Sequence, residues 1–247
     1  MYNIRDTEFK IFISLLVIFV LAYILSLITE IMPFSNFDIG GMIFPVFQSI
    51  QLFIVFPLTL LITYFLFIRT NYISWKNLGF STGEKGLKFT LLLGIVGGLI
   101  IGIFNYFTTN YFILENNQIL PNFFEKCIAA PLWEEFFFRV ITLTLFVTII
   151  IIFLVKQLFN LPKLKDRFTE TDKKWITIEF YVLIIGLNAY FFTVAHSTFA
   201  LNIFIFGVTA CIVFLKSKSI IAPIITHLIG NFVTGGFLFL ILHTFLP

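Results

Sequence analysis

Charge is scarce in this chain. Of its 247 residues only 12% are Asp, Glu, Lys or Arg, about half the share found in soluble domains. No stretch is polar enough to be the surface of such a domain, since the longest charged run extends only from Lys156 to Lys174. Disorder and coiled coil, which both need abundant charge, are excluded. Cysteine is nearly absent as well. Cys127 and Cys211 stand far apart in apolar surroundings, which excludes a disulfide scaffold and reads as two small buried hydrophobes. Histidine is limited to three residues, and a net charge of +3 on so apolar a chain does not point to nucleic acid.

Hydrocarbon takes the place of charge: 59% of residues are apolar, 19% are aromatic and the mean hydropathy is +1.02. The composition predicts an all-α, polytopic membrane helix bundle. A bilayer core about 30 Å thick needs roughly 20 apolar residues per helix. Such stretches lie near 11–30, 43–68, 87–108, 122–158, 176–196, 199–215 and 219–245, which predicts seven transmembrane helices. The fourth is too long for one straight crossing. Because a residue before proline is biased away from helix, Pro131 is expected to separate a short entry segment at 122–130 from the main helix. The first stretch follows Arg5 and Lys10 but is long for a signal-peptide core and lacks a small-residue cleavage site, so it is expected to remain as a span.

Basic residues fall on alternate connections. Arg5 and Lys10 precede the first span; Arg69, Lys76, Lys85 and Lys88 lie in the second loop; Lys156, Lys163, Lys165, Arg167, Lys173 and Lys174 in the fourth; Lys216 and Lys218 in the sixth. The other connections hold Glu30, Asp38 and Glu115. The positive-inside rule then predicts a cytoplasmic N-terminus, an outside C-terminus and a multi-pass place in the cell membrane. In the third span Gly94, Gly98 and Gly102 form a stripe suited to close helix contact.

Ionisable residues inside spans are costly and mark functional candidates. Glu125, Lys126, Glu179 and His243 lie near predicted helix ends, where side chains can snorkel to the interface. Three clusters remain: Glu134, Glu135 and Arg139 in the fourth span, His196 at the end of the fifth, and His227 with Asn231 in the seventh. Glu135 and Arg139 are four apart and share a face, acid before base. Glu134 sits about 140° around the helix from Arg139, so the arginine cannot easily serve both acids, and the second acid needs a use or a proton. His227 and Asn231, also four apart, display an imidazole and a carboxamide on one face, able to orient a water, bind a substrate carbonyl or stabilise an oxyanion.

The ordered series E-E-x-x-x-R, F-x-x-x-H and H-x-x-x-N on successive helices, from about Phe123 to Phe237, resembles the CPBP or Abi family: type II CAAX prenyl endopeptidases and bacteriocin-processing or self-immunity proteases. One departure is Val140, where many members place glycine after the arginine. The resemblance implies two parts, N-terminal helices in 1–110 and a catalytic core of four helices in 111–247. It also implies a glutamate-dependent intramembrane endopeptidase acting on a membrane-associated peptide or small protein. Glu134 with His196 would activate water, Glu135 and Arg139 would form a supporting ion pair, and His227 with Asn231 would bind the oxyanion. Glu134, His196 and His227 are also the candidate ligands for a divalent metal such as zinc. With no H-E-x-x-H and ligands drawn from three helices, the metal-free route is favoured.

Two further readings stand beside the enzyme: a non-catalytic Abi-type scaffold or immunity protein, and a transporter, for which neither an inverted repeat nor paired broken helices is visible. Depth raises a tension. As straight helices, His196 would end near the outer face and His227 would start about eight residues from the inner one, so the two should not meet unless the connection from His196 to Phe199 is sunk in the bundle.

Overall fold

The structure, a computed structural model, describes residues 6–31, 37–44, 49–108, 116–161, 167–196, 200–234 and 237. Within them the regular structure is helical apart from one small antiparallel hairpin, β1 (Phe37–Ile39) paired with β2 (Met42–Phe44). Seven helices are described: α1 (Asp6–Ile31), α2 (Gln51–Ile68), α3 (Leu87–Thr108), α4 (116–160), α5 (Glu170–Val194), α6 (Leu201–Ser217) and α7 (Ile221–Thr234). The first five are long and apolar enough to cross a membrane. The last two, of 17 and 14 residues, measure about 25 Å and 21 Å at the α-helical rise. The predicted seventh span reaches 245, but its residues beyond Phe237 lie outside the described ones, as do Lys163, Lys165 and His243.

The fourth span departs from expectation. The chain does not break before Pro131: the 42 residues of Ile119–Asn160 run as one helix, and Ala130 is helical at φ −60° and ψ −51°. The bias against helix before proline is overcome by a change of hydrogen-bond register. Over Phe124–Ala129 the backbone pairs i→i−5 instead of i→i−4, and Ala130 N–H donates to Glu125 C=O. The wider turn suits a ring that would otherwise clash with the carbonyl four residues back. Glu125 and Lys126 consequently sit inside a continuous helix and not at its end. The same wide register recurs over Phe136–Leu143, where Thr142 and Thr144 hydroxyls donate to the carbonyls of Phe137 and Arg139, at 3.0 and 3.2 Å.

Two devices fix α7. Along its length it lies on the glycine face of α3, so close that a Cβ at Gly98 would stand 2.6 Å from Ile229 Cβ and one at Gly94 2.7 Å from the Ala222 carbonyl oxygen. Thr226 Oγ1 donates to Gly94 C=O across this contact, at 3.1 Å. At its start, the loop ahead of α3 is knotted to the turn between α6 and α7. Ile220 N–H donates to Gly79 C=O, Glu84 N–H to Ser217 C=O, and Ser219 hydroxyl to Ser81 C=O. Gly83, at φ +86°, adopts a left-handed conformation in this knot, where a Cβ would strike Ser217 C=O at 2.7 Å. The main core gathers around Trp133, Phe136, Val140, Ile141 and Leu143 of α4, packed with Leu15 and Ile18 of α1 and Ile184 of α5. The helix that carries both glutamates is therefore the centre of the bundle.

Candidate active site

Glu134 and Glu135 are consecutive, and their side chains leave α4 toward different partners. Glu135 is sealed: both it and Arg139 have no exposed side-chain surface, and Arg139 Nε lies 3.0 Å from Glu135 Oε2. The other oxygen of Glu135 accepts from His227 Nδ1 at 2.9 Å. One carboxylate thus joins a guanidinium on its own helix to an imidazole on α7. Arg139 is held from a second side by Asn188 of α5, whose Oδ1 accepts from Nη1 at 2.6 Å and whose Nδ2 donates to Phe138 C=O at 2.9 Å. The Cys211 thiol donates to the same Oδ1, at 3.1 Å, so this cysteine is polar in function where the sequence suggests only a small hydrophobe. The guanidinium also lies over the Phe192 ring, 4.8 Å from its centroid, a contact that gains strength away from water.

Glu134 keeps a path to the outside. Its side chain is 23% exposed and that of His196 33%, and His196 Nε2 stands 3.4 Å from Glu134 Oε2. The other nitrogen, Nδ1, lies 2.8 Å from Phe192 C=O. A carbonyl only accepts, so Nδ1 carries a proton. Nε2 then faces a carboxylate oxygen with a lone pair of its own unless one further proton is held between them. Glu134 Oε2 is buried and receives no hydrogen bond from the described residues. At 3.4 Å the two atoms are in direct contact, so the carboxylate and the imidazole present a paired polar edge to whatever lies beside them.

The depth tension resolves without the two histidines bonding to each other. They meet adjacent glutamates on α4, and Phe192 fills the space between them, with centroids 4.6 Å from the His196 ring and 6.2 Å from the His227 ring. Phe206 of α6 packs against both rings, 4.5 Å from that of His227 and 5.5 Å from that of Phe192. Residues 197–199, where the sequence analysis asks for a sunken connection, lie outside the described ones. Asn231 is brought to α4 but not to the carboxylates: its Nδ2 donates to Lys126 C=O at 2.7 Å.

Among the described residues no three His, Cys, Asp or Glu side chains gather as a metal-ligand group. Glu134 is near His196, whereas His227 gives its Nδ1 to Glu135. Glu134, His196 and His227 therefore do not fit together as a zinc set, and no chemical step below passes through a metal.

Residues 116–233 match the family model described as type II CAAX prenyl endopeptidase Rce1-like. Over this segment, somewhat under half of the chain, the sequence is similar to that CAAX-protease-like family. No curated protein and no solved structure matches the chain. The matched segment contains Glu134, Glu135, Arg139, His196, His227 and Asn231 together with Asn188, which the sequence analysis passed over. Its signal was available but weaker: a carboxamide in the middle of an apolar span also costs free energy when left unpaired, yet Asn188 has no polar neighbour one turn away as Asn231 has in His227.

Proposed function

We propose that this multi-pass membrane protein is an intramembrane endopeptidase that hydrolyses a peptide bond of a membrane-associated peptide or small protein. The observation that carries the reading is the division of labour between the glutamates: one sealed in an ion pair, the other facing a histidine at a partly exposed edge. Water held by Glu134 and His196 loses a proton to that pair as its oxygen attacks the scissile carbonyl carbon. The carbon–nitrogen bond then breaks, and the proton passes to the leaving amine. His227, oriented by Glu135 through its Nδ1, turns its Nε2 edge toward the oxyanion that forms on the carbonyl oxygen. The catalytic set is Glu134, His196 and His227, with Glu135, Arg139 and Asn231 holding it in place. On this reading 111–247 is the catalytic core, and α3 in 1–110 is the surface on which α7 is set.

The test is cleavage of a membrane peptide by purified protein. Glu134→Gln keeps size and hydrogen-bonding shape but removes the base, and turnover should fall by at least about 10²-fold. His196→Ala should match it, and the double variant should be little worse than either single one, because groups activating one water act as a unit. Full processing by Glu134→Gln at normal abundance would leave a non-catalytic scaffold as the better account. We further propose seven crossings with a cytoplasmic N-terminus. Reporter fusions after Phe34 and Asn117 should read as outside and one after Lys165 as inside, and the reverse pattern would remove this topology.

A further inference from the structure

Resting on the peptidase reading, we infer that Asn231 is a positioning residue, which acts on Glu134 through the Lys126 carbonyl that Pro131 leaves without a donor. In the i→i−5 register of Phe124–Ala129, Ala130 N–H is spent on Glu125 C=O. The next donor in that register, the one due to Lys126 C=O, belongs to residue 131, and proline has none. The freed carbonyl lies on an exposed side of α4, and at membrane depth it needs a donor from elsewhere. Asn231 does so at 2.7 Å.

The consequence reaches the site because α7 is stitched to α4 at two points. His227 holds Glu135 and, one turn on, Asn231 holds the turn two turns before Glu134. If Asn231 lets go, Lys126 C=O can regain a donor by drawing Ala130 N–H away from Glu125, which returns the turn to i→i−4. That change of register rotates the two ends of α4 against each other, at about 100° per residue. It would carry Glu134 away from His196. Asn231 therefore locks the wide turn that aims the glutamate.

The tether makes Asn231 and Pro131 dependent on each other, which a direct contact of Asn231 with the reacting carbonyl would not. Pro131→Ala gives residue 131 an N–H and so supplies Lys126 C=O from the backbone. The experiment compares wild type, Pro131→Ala, Asn231→Ala and the double variant as detergent-purified full chains, by thermal melting and by peptide turnover at equal folded amounts. Asn231→Ala alone should lower the melting temperature by about 2–4 °C, the shift of one lost hydrogen bond in a chain of this size. It should also lower kcat by on the order of 10-fold or more, since a misplacement near 1 Å is costly. In the Pro131→Ala background the same change should move neither quantity appreciably. Equal losses of kcat in both backgrounds would overturn the tether and return Asn231 to direct contact with the oxyanion. A melting temperature unchanged by Asn231→Ala would overturn it too. Failure of the peptidase reading is separate: it would appear as absent turnover in the wild type, with the melting comparison still deciding the tether.

Discussion

The two faces of α7 are built on opposite principles. Toward α3 the contact is made by shape: glycines on one helix, Ile225, Ile229 and Val233 on the other, and, among the described residues, a hydrogen bond from Thr226. Toward α4 it is made by direction: His227 to Glu135, Asn231 to Lys126 C=O. Without water between helices, close van der Waals contact brings them together, but dispersion does not say which way a side chain points. Polar bonds do, at the cost of burying groups that must all be paired. The glycine face thus sets how near α7 lies, and the polar face sets where its histidine aims.

Breaking the polar face should have the larger effect. Arg139→Ala removes the cation from a buried carboxylate and a donor from Asn188, a loss of about 3–5 kcal/mol where one partner of a buried pair is left alone. Abundance and melting temperature in detergent should both fall with activity. Normal accumulation with only turnover reduced would mean that the pair is not what holds α4 in place. A single methyl on the shape face comes next. Gly98→Ala puts a Cβ 2.6 Å from that of Ile229 and 3.0 Å from Thr226 C=O, overpacking that costs about 1–3 kcal/mol. Because His227 lies one residue beyond Thr226, turnover should drop further than stability alone explains. Melting and kcat measured together would show this, and a loss matching the unfolded fraction alone would confine the glycine face to packing. The smallest change sharpens the contrast: Thr226→Val removes the hydrogen bond from Thr226 to Gly94 C=O at about 1 kcal/mol. It should leave kcat at the wild-type value, and a fall in kcat would show that this face also steers the histidine.

The sequence read alone is informative wherever a rule is local. Spacing of four puts Glu135 and Arg139 on one helix face, and the remaining acid, Glu134, is visible as surplus before any partner is known. The glycine stripe is legible for the same reason. What the sequence hides is non-local or register-dependent. Asn188 is separated from Arg139 by 49 positions, and nothing in its neighbours says which helix it will face. Pro131 reads as a helix break because proline rules assume i→i−4 pairing. The wide turn that absorbs it has no signature of its own.

Composition and periodicity by themselves determined a membrane-embedded helical bundle and the residues that hydrocarbon would not tolerate without a use, since solvent preference and helical spacing act residue by residue. Only the tertiary structure decided that the two histidines meet different carboxylates, that Asn188 braces the ion pair, and that Asn231 pairs with a backbone carbonyl. Those choices depend on the rotation and depth of one helix against another. Packing across the whole bundle sets both, through a change in hydrogen-bond register that no single residue specifies.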